Sequence, residues 1–314
     1  MREFFALLKR EWLEHRTVFV WGPVVVLGLM VLAVLMALLI QDDVNIQIGS
    51  GNGPQAIEDV GEGREVSGLE ALTSLSLDVT GSSDTELAAK LNRLLFALVQ
   101  PFHLLFLIFV FFALIAALFD ERKDHSVLFW KSMPVSDLHS VASKFAFVAW
   151  GAPICTIAAI FAAQVFAVIV ISTLVEEGMG SRIWGASEII LRPVDLVLAY
   201  AIHSLWAVPF YGWLLLISAW VSRGPILWAI GVPVLVVILE RIVLGSSQIA
   251  AAISNHFSNL QLTHGPLIYA DGVRMPVMFD RFSGFGELNF WLGIAVGAAF
   301  VAAAVYLRRY RNEI

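Results

Sequence analysis

A chain of 314 residues has room for two soluble domains. Yet 59% of it is hydrophobic and only 15% is charged, which leaves too little polar surface for a water-soluble fold. The mean hydropathy of +0.80 points instead to lipid as the solvent. The net charge of −6 is uneven: residues 41–90 hold ten acids against Arg64 and Lys90, so the rest is weakly positive. No basic stripe with interleaved aromatics is present, which argues against nucleic-acid binding.

Residues 1–16, MREFFALLKREWLEHR, place Phe4, Phe5, Leu8 and Trp12 at helical spacing, with Lys9, Arg10, Glu11 and Glu14 between them. This pattern predicts an amphipathic helix over residues 1–17 in the membrane interface, the alternative being a helix docked on the protein. The first apolar run, 18–40, is too long for a secretory signal, and no small-x-small cleavage site follows it. It reads as a retained anchor. Crossing about 30 Å of hydrocarbon takes about 20 apolar residues. Runs over 18–40, 94–119, 145–175, 196–222, 225–244 and 288–307 meet that need. The expectation is an all-α integral membrane fold, a single domain over 1–314 with six transmembrane helices. Cys155, the one cysteine, lies inside the third run and reads as packing.

Lysine and arginine mark the cytoplasmic side of a membrane protein. With both termini inside, the inner segments hold twelve bases, and the much longer outer loops hold eight. The acidic loop 41–93 then faces outward. Its glycine-rich stretch 49–63 reads as a flexible connection, and 68–79 as a possible short helix. A second outer loop, 246–287, opens with QIAAAISNHFSNL, which fits a short helix at the outer surface. His256, His264, Asp271 and Asp280 in that loop lack any metal-ligand spacing.

Motifs for chemistry are missing. The sequence has no GxxxxGK[ST], HExxH, GxSxG or CxxC. Gln100, His103, His203, Glu240 and Arg241 are the polar groups within the spans that are candidates for a pathway or gate. Interhelical hydrogen bonding is the plainer reading of the histidines and glutamine. Pro101, beside Gln100, predicts a kink in the second span. Glu240 lies about 22 Å along a span of about 30 Å, as either an outer gate or a snorkelling pair with Arg241. Gly293 and Gly297 form a GxxxG whose close packing is expected within the subunit.

The connector 119–144, FDERKDHSVLFWKSMPVSDLHSVASK, carries more than a solvated loop requires. Val127, Leu128, Phe129, Trp130 and Met133 are too apolar for an idle exposed turn. Pro134 stops any helix begun near Asp124, and Ser136 is placed to cap a new one through Asp137 and Leu138. The pattern predicts a short helix, a break and a capped re-entry into the third span.

This connector resembles the coupling region of ABC-2 type permeases, the membrane subunits of one class of ATP-binding cassette exporters. Asp120-Glu121, Ser126-Val127-Leu128, Pro134-Val135-Ser136 and Lys144 match that family's pattern. Residues 7–16 resemble its N-terminal interfacial helix, and the six-span layout is similar over essentially the whole chain. The resemblance implies an export permease in a bacterial cytoplasmic (inner) membrane, with both termini cytoplasmic. It implies a second permease copy, as a homodimer or a pseudo-symmetric heterodimer, and separate ATP-binding subunits. ATP and Mg would sit on those partners, with no cofactor on this chain. The coupling set is then Asp120, Glu121, Ser126, Val127, Leu128, Phe129, Trp130, Met133, Pro134, Ser136 and Lys144. A translocation route near the dimer interface would be lined by the first, second and fifth spans. Unlike fused members of the family, the chain carries no nucleotide-binding domain of its own.

Three rival readings stand beside this one. An intramembrane enzyme needs a buried nucleophile or acid–base pair, and none is evident. A secondary transporter predicts inverted repeats, and the two halves show no obvious likeness. An ATPase-linked membrane complex acting in protein assembly or extraction shares the same connector.

Overall fold

The computed structural model describes residues 2–39, 83–133, 135–175, 178–260 and 283–310. Pro134, most of the acidic loop, and His264, Asp271 and Asp280 lie outside the described residues. Every regular element among the described residues is helical, and six apolar helices are long enough to cross a membrane.

The first helix, α1 (Arg2–Leu39), runs unbroken from the amphipathic stretch into the first apolar run. The stretch expected as an interfacial helix is thus helical from Arg2 and joins the first apolar run with no break between them. Nothing between Arg16 and Val18 breaks a helix, and Leu7 and Glu11 are almost fully covered while Lys9 and Glu14 are exposed.

The second apolar helix is α2 (Asp84–Ala97) followed by α3 (Val99–Lys123). It starts at Asp84, ahead of the apolar run that begins at residue 94. Ser83 and Glu86 close a reciprocal capping box at its start. Leu87, Leu91 and Leu95, one turn apart, pack on Val168, Ile171 and Ile183. The two helices meet at Leu98, where Pro101 supplies no N–H to the Ala97 carbonyl.

Past α3, His125 takes a left-handed conformation (φ 56°) and turns the chain into a short helix, α4 (Ser126–Ser132). Ser136 then caps α5 (Asp137–Ala146) by accepting from the His139 N–H, as the sequence predicts. A π-helical turn, Phe147–Gly151, leads into α6 (Ala152–Leu174). Pro153 leaves the Ala149 carbonyl without its helical donor, and the Ser204 hydroxyl donates to it at 2.6 Å. Such repairs let prolines sit in membrane helices.

The fourth crossing differs from the expected run 196–222. The apolar helical stretch begins at α7 (Gly180–Ser187) and α8 (Arg192–Trp206), and α9 (Val208–Trp220) continues it after a break at Ala207. Pro209 denies a donor to the Leu205 carbonyl and so interrupts the helix. The fifth crossing is α10 (Pro225–Leu239) with a second π-helical turn, Glu240–Leu244. Here Pro233 frees the Ala229 carbonyl, which accepts from Trp213 Nε1 at 2.9 Å. A surface helix, α11 (Gln248–Leu260), precedes the last crossing, α12 (Leu288–Tyr310).

The core is a stripe on α3 (Phe102, Phe106, Val110, Leu114, Leu118) packed on α6, α8 and α9. Gly297 and Gly212 bring α12 and α9 into backbone contact. A Cβ on Gly212 would stand 2.6 Å from the Gly297 carbonyl oxygen, and one on Gly297 would strike Val208. Gly293 receives the His256 ring. Both glycines of the GxxxG are thus used within the chain, as expected.

Candidate functional site

The ends of α1, α3, α5 and α12 meet beside α4 in a knot of buried charge. Glu121, at the end of α3, is its hub. Its Oε1 lies 3.1 Å from Lys144 Nζ and 3.2 Å from Arg10 Nη2, and its Oε2 accepts from Arg308 Nη1. Lys144 Nζ also donates to Glu11, at 3.1 and 3.3 Å from the two oxygens. Arg308 Nε lies 3.2 Å from Asp137 Oδ1. Glu11, Glu121, Lys144 and Arg308 are each at most 6% exposed. Glu11, Glu121 and Asp137 face Arg10, Lys144 and Arg308, and the half-exposed Glu14 lies 3.6 Å from Arg10 at the rim. Local sequence puts each group there. Glu121 and Arg308 fall in the last turns of their helices, and Asp137 follows the Ser136 cap. Lys144 lies two turns further along α5, on its buried face with Ser140 and Val141.

The knot seats α4. The Ser126 hydroxyl donates to the Glu121 carbonyl at 3.3 Å. The Arg10 guanidinium lies 3.7 Å over the Trp130 ring, a cation–π contact. Lys131 Nζ donates to the Arg309 carbonyl at 3.1 Å. Val127 points inward and is buried, whereas Leu128 and Phe129 are each 59% exposed. Met133 is half-buried and Asp120 exposed. Nearby, Arg122 Nη2 clasps the carbonyls of Ser218 and Val221 at the end of α9, 2.7 Å from each. The helix α4 therefore turns two apolar side chains outward, and the residues around it tie together the ends of five helices.

The five candidate pathway residues do not converge. His103 and His203 meet, with ring centroids 5.0 Å apart, both buried between α3 and α8. Tyr200 stands 3.4 Å from His103 Nδ1, and Tyr211 stands 3.3 Å from His203 Nε2. Gln100 is exposed on another face of α3. Glu240 turns back to cap α11: its Oε1 accepts from the Ser246 hydroxyl at 2.8 Å and the Gln248 N–H at 2.7 Å, and its Oε2 from Ile249. That capping holds a carboxylate at a helix N-terminus, where it is favoured. Arg241 is exposed.

Sequence reasoning left Arg10, Glu11, Arg122, Arg308 and Ser218 out of the site. The signal for four of them was present as charge at helix ends, but it was absorbed into the count of cytoplasmic bases or into the amphipathic face of 1–16. Among the described residues, no group of three or more His, Cys, Asp or Glu side chains is placed to hold a metal ion. No protein-family model, curated protein or solved structure matches this chain.

Proposed function

We propose that this multi-pass membrane protein is the permease subunit of a transporter driven by a separate ATPase, which docks on α4. The observation that carries the reading is one helix with two exposed apolar side chains, Leu128 and Phe129, seated on a charged knot. Exposed apolar side chains on a short, firmly held helix fit a partner's groove. A push on α4 reaches α1, α3, α5 and α12 at once, because the knot belongs to all of them. That is the requirement for conformational gating: the partner must have different contact energy with two arrangements of the bundle.

In this reading the α4 end faces the cytoplasm, where the inner segments concentrate lysine and arginine. ATP and Mg belong to the partner, and the resemblance makes the direction of transport export. A second copy fits the exposure of the spans. The first and fifth apolar helices bury 11% of their apolar windows, against 39% for each of the second, third and fourth. Those open faces accommodate lipid or another permease.

The test is purification of the chain from its native membrane in mild detergent, with ATP hydrolysis measured on the isolated complex. The proposal expects a co-purifying ATPase whose retention falls at least tenfold in the Leu128→Ser, Phe129→Ser double variant. Equal ATPase recovery with both proteins contradicts it.

A further inference from the structure

One unassigned side chain lies among the apolar helices just before the α4 end. Ser218, in α9, is fully buried, and its hydroxyl enters the backbone ladder of α3. Its Oγ accepts from the N–H groups of Leu118 and Phe119 at 2.9 Å each and donates to the Ile115 carbonyl at 2.7 Å. The helical partner of the Phe119 N–H is that same Ile115 carbonyl. Ser218 therefore bridges both sides of one rung.

In hydrocarbon an opened rung leaves a donor and an acceptor with nothing to bond, which ordinarily keeps a spanning helix straight. At residues 115–119 a hydroxyl already bonds both groups, so the rung can lengthen while each keeps a partner. Side chains inserted into the i→i−4 ladder are a physical cause of helix bending. One turn further along α3, Arg122 holds the Ser218 and Val221 carbonyls, so the last turn of α9 travels with the end of α3.

We infer that Ser218 makes residues 115–119 of α3 a hinge, about which the end of α3 swings together with α4 and the charged knot. Ser218 is then a positioning residue. Its role in transport rests on the reading of α4 as the docking helix, while the hinge itself is a property of this chain alone. A merely structural Ser218 has the opposite signature: without its hydroxyl, α3 loosens.

The experiment uses the full chain in nanodiscs with Cys155→Ser. Nitroxides are placed at Leu104→Cys and Phe129→Cys, exposed positions on either side of 115–119. Pulsed electron–electron double resonance then gives the distance distribution. The hinge predicts two components with Ser218 present, one component in Ser218→Ala, and return of the second in Ser218→Thr. A single component with Ser218 present overturns it, whether or not Ser218→Ala folds. So does a Ser218→Ala distribution as wide as the parent's or wider. No ATPase takes part, so a failed hinge leaves the docking reading untouched, and a failed docking test leaves the hinge measurable.

Discussion

Two buried polar groupings sit in this bundle, and they are built on opposite principles. The knot at the α4 end uses full charges, three of each sign, at distances near 3.1–3.2 Å. The His103–Tyr200–His203–Tyr211 cluster deeper in the bundle is built of aromatic rings, with two polar contacts of 3.3–3.4 Å. A charged knot tolerates no missing member, because the survivor is left as an uncompensated charge away from water. A loosely bonded aromatic cluster tolerates substitution, because shape supplies most of its energy. The first grouping ties four helices together through charge and fails when a buried member is lost. The second is packing with polar trim.

That contrast fixes the order of expected losses. Glu121→Gln removes the one carboxylate shared by Arg10, Lys144 and Arg308, and should lose about 3–5 kcal/mol. Thermal unfolding of the detergent-solubilised chain, followed by tryptophan emission, would register this as a large fall in midpoint. Lys144→Glu should be similarly damaging alone, since it adds a third carboxylate to Glu11 and Glu121. Adding Glu11→Lys removes one of the two carboxylates that face position 144 and should recover part of the loss, with the repulsion from Glu121 left in place. No recovery at all would mean that positions 11 and 144 are not coupled. Gly297→Val forces α9 and α12 apart and should lose about 1–3 kcal/mol, the usual range for overpacking. His103→Phe puts a larger ring into a buried site and removes the Tyr200 contact, and should lose about 1–3 kcal/mol. If His103→Phe proved as costly as Glu121→Gln, the contrast between the two groupings would collapse. Leu128→Ser with Phe129→Ser changes only exposed side chains and should shift stability by no more than about 0.5 kcal/mol each. In the docking reading, their effect falls on partner binding.

Much of this arrangement is legible in the sequence. Apolar runs locate the membrane helices, because only helices and closed barrels satisfy backbone groups in lipid. Ser136 and Asp137 announce the start of α5, and Pro101 announces the break before α3. Helix ends are less legible. The capping box at Ser83 and Glu86 begins α2 inside what composition reads as loop, and Pro209 splits what hydropathy reads as one run. The knot was hidden for a different reason. Its members lie 111, 133 and 187 positions apart, and each is a charge near a helix end that the positive-inside rule or an amphipathic pattern already explains. Only packing reveals that the same bases also neutralise buried carboxylates. The Ser218 insertion has no local signal, since a serine in an apolar helix is unremarkable until its neighbour's backbone is in place.

The central claim is that α4 meets an ATP-binding partner through Leu128 and Phe129. The most direct measurement places a photo-crosslinking amino acid at position 129 of the full chain in its native membrane and identifies the adduct by mass spectrometry. A second chain carries the same probe at Leu138, which is equally exposed but lies on α5 rather than α4. The account predicts an adduct at 129 with a separate protein containing a GxxxxGK[ST] phosphate loop, at several-fold higher yield than at 138. Adducts at 129 with lipid alone, or with another copy of this chain alone, would contradict it.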